Sequence, residues 1–112
     1  MLHRVQKDQR NLAAFDAPGA TVRVSDPIRG ADDRLSAGFT EYTEASRLTW
    51  TFDYDEVFFM LEGYLEVQVE GRDPVRYEAG DLGYIEKGAR TTIIVPERAY
   101  MLHVTHPAWR SE

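Results

Sequence analysis

Between Leu65 and Glu70 apolar and polar side chains alternate one for one, with Leu65, Val67 and Val69 set against Glu66, Gln68 and Glu70. A period of two marks a strand with one dry and one wet face. Short segments of this kind, each closed by a turn signal, recur along most of the chain. Residues 21–24 read as a strand after the Asp16-Ala-Pro-Gly19 turn, while Asp26-Pro27 and residues 29–33 read as turn or loop. Residues 37–43 place Phe39 and Glu41 on one face and Thr40 and Tyr42 on the other. A strand from Arg47 into Phe52 resumes after an acidic kink at residues 57–61, and Glu62-Gly63 reads as a tight corner. Gly71-Arg-Asp-Pro74 closes a hairpin into residues 75–77, and residues 82–85, 91–95 and 99–105 complete the set. About eight or more short strands without sustained helical periodicity predict an all-β antiparallel sandwich or barrel. Residues 1–20 read as an N-terminal arm or short helix plus a turn, and residues 21–110 as the barrel.

The chain has 112 residues, enough for one core and not for two. Its net charge of −6 argues against nucleic acid, whose phosphates demand a basic surface. No apolar run approaches the roughly 18 residues of a membrane span, and residues 1–10 lack the apolar region of a signal peptide. With no cysteine there is no disulfide framework or thiol chemistry, which fits a reducing cytoplasm.

The stretch Trp50-Thr-Phe-Asp-Tyr-Asp-Glu56, followed six residues later by Gly63, resembles the first motif of the cupin superfamily. In that motif two histidines precede the glutamate, and their positions fall here on Trp50 and Phe52. A second motif resembles Gly80-Asp-Leu-Gly-Tyr-Ile-Glu-Lys-Gly88, and the position of its usual third histidine is Thr91. Glu86 stands where cupins usually place proline. From about Ala37 to Trp109 the chain looks like the ethanolamine-utilisation protein Q branch. The matching residues are Ala37-Gly-Phe39, Trp50-Thr51, Tyr54-Asp-Glu56, Glu62-Gly63, Gly80-Asp81, Lys87-Gly88 and Val104-Thr-His-Pro-Ala-Trp109. The resemblance implies a single small jelly-roll barrel (a double-stranded β-helix), a cytoplasmic setting and a homodimer. It also implies a link to ethanolamine breakdown, where members are associated with ATP-dependent phosphorylation of acetate. By the same analogy, the N-terminal arm would add a strand to a neighbouring subunit.

Trp50 and Phe52 are two apart on a strand and so point to one side. If that side is inward they form an apolar wall, either of a packed core or of a small ligand pocket. Glu56 is the leading candidate acid or base: a carboxylate among Phe52, Phe58 and Thr91 must be paired or protonated, and its pKa should rise. Tyr54, Tyr84, Thr91 and His103 join Trp50 and Phe52 as candidate ligand contacts. The expected ligand is a small polar metabolite. With the usual histidines replaced, no tightly bound transition metal is expected, since threonine coordinates divalent ions far less readily than imidazole. An alternative metal-dependent reading joins Glu56 to His103 or His106, which are three apart and cannot share a strand face. A further alternative is a non-catalytic sensing or assembly module. Lys87, Arg90 and Arg98 sit at loop tips where they could engage phosphate or carboxylate. No Gly-rich phosphate loop is present, so a kinase would need another way to hold ATP and Mg²⁺.

Overall fold

The computed structural model describes residues 2–111, in which nine antiparallel strands form a nearly closed jelly-roll barrel. The strands are β1 (Ala13–Ala17), β2 (Ala20–Arg29), β3 (Ser36–Tyr42), β4 (Ser46–Thr51), β5 (Asp55–Val69), β6 (Val75–Glu78), β7 (Leu82–Ile85), β8 (Arg90–Val95) and β9 (Ala99–His106). Hydrogen bonding runs in the order β1-β2-β3-β9-β5-β8-β4, with β6 and β7 also paired to β5. The free edges meet where Arg47 N–H donates to Gly19 O at 2.9 Å and Thr21 N–H donates to Ser46 Oγ at 3.0 Å. Closure of this kind leaves few unpaired backbone groups for other chains to capture. Among the described residues no helix is long and apolar enough to cross a membrane.

β5 belongs to both walls. Its first half pairs with β7 and β9, and its second half with β6 and β8. Glu62-Gly63, expected to be a corner between two strands, is instead an irregularity inside one strand, where the register against β9 shifts between Met60 and Glu62. Gly63 has φ +73°, and a Cβ there would lie 2.1 Å from the carbonyl oxygen of Arg98. Only glycine permits that backbone conformation and that approach together. The alternation seen in the sequence survives on both sides of the bulge: Phe58, Met60, Leu65 and Val67 are buried, and Val57 and Phe59 face outward.

Two segments differ from the expectation. β2 does not stop at a turn but continues through Asp26-Pro27 to Arg29, with a bulge between Ser25 and Ile28 that absorbs the proline's missing N–H. The N-terminal segment forms no α-helix among the described residues, and part of it is a strand of this chain's own sheet. After a short 3₁₀ turn (Lys7–Gln9), β1 pairs with β2 of the same chain, Phe15 packing against the core. The Arg10 guanidinium lies 4.3 Å over the Phe39 ring and donates to Tyr100 Oη at 2.6 Å, tying this segment to its own barrel.

An apolar strip remains on the outer wall, where Val57 pairs with Tyr84 and Phe59 with Leu82, all four exposed. The bulge analysis gives a direct test. Gly63→Ala should lower unfolding stability in urea by at least about 2 kcal/mol, because strain and clash add. Gly71→Ala, at φ +80° with nothing within 4 Å, should lose only about 1 kcal/mol. Equal losses at the two positions would refute a packing role for Gly63.

Candidate functional site

The barrel is not filled. Its interior holds a cavity of about 70 Å³ lined by the inner face of the sheet: Val22 and Val24 of β2, Thr40 and Tyr42 of β3, Trp50 of β4, Glu56 and Phe58 of β5, and Met101 and His103 of β9. Period-two alternation puts them there, since each lies on the inward side of its strand. Phe15, Trp50 and Trp109 close one end as an edge-to-face cluster with centroids 5.1–6.2 Å apart. None of the lining residues is lysine or arginine.

Glu56 projects into this space. It keeps some accessible surface although the barrel encloses it, because that surface is the cavity wall. Among the described residues no group donates a hydrogen bond to its carboxyl, and burial drives its pKa up to about 7, with nearby His103 opposing the rise and Asp26 adding to it. Two tyrosines feel its charge. Burial, reinforced by Glu56, raises the pKa values of Tyr42 and Tyr54, keeping both hydroxyls protonated. Trp50 Nε1–H donates to Tyr54 Oη at 2.8 Å, while Tyr42, 6% exposed, has no hydrogen-bond partner for its hydroxyl among the described residues.

Beside Glu56 lies a second carboxyl with the opposite environment. The Asp26 side chain is 4% exposed and accepts from three side chains. His103 Nε2 lies 2.7 Å from Oδ1, Trp109 Nε1–H donates to both oxygens at 2.9 and 3.0 Å, and Arg110 Nε–H donates to Oδ2 at 3.0 Å. Burial pushes the Asp26 pKa up, but the bonds from His103 and Trp109 and the charges of His103 and Arg110 outweigh it and hold it below its ordinary value. Thr40 Oγ1 sits 2.7 Å from His103 Nδ1, so both ring nitrogens are engaged. The bulge brings Asp26 inward against β3, where a Cβ on Gly38 would lie 1.8 Å from Ser25 O. Glycine at position 38 is therefore what lets the bulged backbone seat.

Of the expected residues, Trp50, Phe52, Tyr54, Glu56 and His103 converge on the cavity. Two do not. Tyr84 points outward because Gly83 and Ile85 take the inward positions of β7, and its hydroxyl donates to Asp55 Oδ1 at 3.3 Å. Thr91 faces inward, yet its hydroxyl donates to the carbonyl of its ladder partner Trp50 at 2.7 Å, and it does not line the cavity. His106 is exposed, with Nδ1–H donating to Arg34 O at 2.7 Å. Neither histidine thus offers a free ring nitrogen beside Glu56 on the cavity side, and among the described residues no three His, Cys, Asp or Glu are grouped to hold a metal ion. Arg98 is occupied by Glu41 and Glu62 at 2.7 and 2.8 Å, which draws it away from any phosphate role. Reasoning from sequence missed Asp26, Thr40, Tyr42 and Trp109. The signal for Asp26 was present: Val22 and Val24 point inward, and a period of two carries that face on to residue 26.

The two carboxyls predict opposite pH behaviour. The folded pKa of Glu56 exceeds its ordinary value of 4.5, so its contribution to stability is complete below that pH and is lost as pH rises through about 7. The loss amounts to roughly 3 kcal/mol. Glu56→Gln should flatten this slope and raise stability above pH 7, as read by urea unfolding across pH 4–8. Asp26, with its pKa lowered, contributes above its unfolded value and loses that contribution only as pH falls below about 4. Asp26→Asn turns an amide donor towards donors and should lower stability at pH 7 by roughly 3 kcal/mol. An unaltered slope in Glu56→Gln would show that this carboxyl is not the desolvated group.

A family model described as ethanolamine utilisation protein EutQ matches residues 2–112. A curated relative named acetate kinase EutQ, from Clostridioides difficile, is 36% identical over 80 residues, covering 70% of this chain and 50% of its own length. The chain spans about half the length of the curated relatives it matches, or less. A crystal structure of an ethanolamine utilisation protein Q from Salmonella typhimurium superposes with a TM-score of 0.78 at 32% identity, covering 87% of this chain and 79% of that one. A cupin-2 domain from Rhodospirillum rubrum has a TM-score of 0.73 at 17% identity, over 90% of this chain and 72% of that one, a likeness of fold alone. The barrel is thus a cupin, and the chain belongs to the EutQ family of ethanolamine utilisation proteins.

Proposed function

We propose that this chain binds a small polar metabolite inside the barrel, against the Glu56 carboxyl. The observation that carries the reading is a desolvated carboxyl without a hydrogen-bond donor at the wall of a cavity. A buried polar group in that state gains from any ligand that supplies donors. At about 70 Å³ the cavity is well below the roughly 300 Å³ of a drug-sized pocket, so the ligand has only a few heavy atoms. With a pKa near 7, Glu56 is also suited to exchange a proton with it.

Phosphorylation of acetate by ATP is the second reading, favoured by the name of the relatives, which are longer than this chain. A nucleotide does not fit the cavity, so ATP and its Mg²⁺ would have to lie outside it, with acetate inside. A cytoplasmic setting accords with either reading. So does a homodimer, which we assign to the outer strip of Val57, Phe59, Leu82 and Tyr84, since exposed apolar patches commonly mark association sites.

Trp50 and Trp109 are the chain's two tryptophans and both line the cavity, so their emission reports occupancy. A panel of small polar metabolites should include members that change it saturably. A panel without effect would overturn the binding reading. Release of ADP in the presence of acetate, dropping at least about a hundredfold in Glu56→Gln, is what the kinase reading requires. Absence of turnover removes that reading and leaves binding. Leu82→Glu should convert a dimer to a monomer in light scattering, and an unchanged mass would clear the strip of that role.

A further inference from the structure

We propose that the metabolite is a small primary ammonium ion, held by Glu56 and the Tyr42 hydroxyl and walled by aromatic rings. This rests on the binding reading above and narrows its ligand class. An ammonium carries three donors and no acceptor. The polar pole of the cavity is matched to that: two carboxylate oxygens of Glu56 without a donor, and the hydroxyl oxygen of Tyr42, a lining residue whose hydroxyl has no partner among the described residues. The remaining wall is made largely of π faces and aliphatic groups, including Trp50, Phe52, Phe58 and Trp109. Aromatic faces attract desolvated cations and offer nothing to anions.

The charge balance points the same way. From β2, Asp26 is neutralised by Arg110 and by its bond to His103. From β3 the facing group is Tyr42, from the turn before β5 it is Tyr54, and from β9 it is His103, whose two nitrogens are already bonded to Asp26 and Thr40. β4, β7 and β8 contribute only uncharged groups, among them Leu48, Ile85 and Ile93. Glu56 is therefore the one carboxylate in the lining without a counter-charge bonded to it, and no lysine or arginine stands there to receive an anion. A bound carboxylate would face Glu56 with like charge unless one of the two kept a proton.

Ethylammonium chloride, ethanol and sodium acetate have nearly the same size and differ in charge, which makes them the probes. Each is titrated into the full chain at matched ionic strength, with tryptophan emission as the readout. Ethylammonium should saturate the change at pH 8, and about tenfold more should be needed at pH 6, where a Glu56 pKa of about 7 leaves roughly a tenth of the carboxyl ionised. Glu56→Gln should weaken ethylammonium at least about tenfold, and Tyr42→Phe severalfold, with urea unfolding confirming that both variants fold. Acetate binding as tightly as ethylammonium at pH 8, or Glu56→Gln binding ethylammonium undiminished, overturns the ammonium assignment. If ethanol or acetate saturates and ethylammonium does not, the ligand class falls while the binding site stands. If none of the three has an effect here and the wider metabolite panel is also silent, both fall.

Discussion

The fixed point of this barrel is the carboxylate of Asp26. It is buried, and it is fully provided for: an imidazole from β9, an indole and a guanidinium from the C-terminal segment all donate to it. Those three donors join β2, β9 and the chain end around one charge. A buried charge that loses any such partner costs several kcal/mol, so the arrangement is stable only as a whole. The bulge at Asp26-Pro27, the bare backbone at Gly38 and the indole at Trp109 are parts of one device. That device also sets the orientation of His103, and with it one wall of the cavity.

Glu56 is the counterpart left without such provision. Two acids share one interior. One is held ionised by donors, and the other is pushed towards neutrality by their absence. The first kind of environment is what a fold needs of a buried charge. The second is a standing cost to the fold, and costs of that sort collect where a molecule is to be bound or a proton moved. The aromatic residues at Trp50 and Phe52 take part in this contrast. They line the cavity beside it, and so they leave the carboxyl in apolar company.

Much of this was legible in the sequence, and the reasons differ by residue. Alternation showed the strands, and with them that Trp50 and Phe52 share one side, because a strand's period depends on nothing distant. Asp26, although on the inward course of Val22 and Val24, was passed over for the opposite reason. Locally, Asp-Pro is a turn signal, and the partners that override it lie 77, 83 and 84 residues along the chain. Tyr84 went astray because β7 is four residues long with a glycine on its inward side, leaving too little apolar contrast to fix its facing. Thr91 was placed on the correct side, but its hydroxyl is taken up by the neighbouring strand's carbonyl, a claim that spacing alone does not reveal.

The two-faced character of β5 has an effect that reaches across the wall. Glu56 and Val57 are joined by one peptide unit, the first turned to the cavity and the second to the outer apolar strip. Whatever settles on the barrel's exterior there presses on the same backbone that aims the acid within. The acid within and the apolar strip without are insulated from one another by no more than the thickness of a single ribbon.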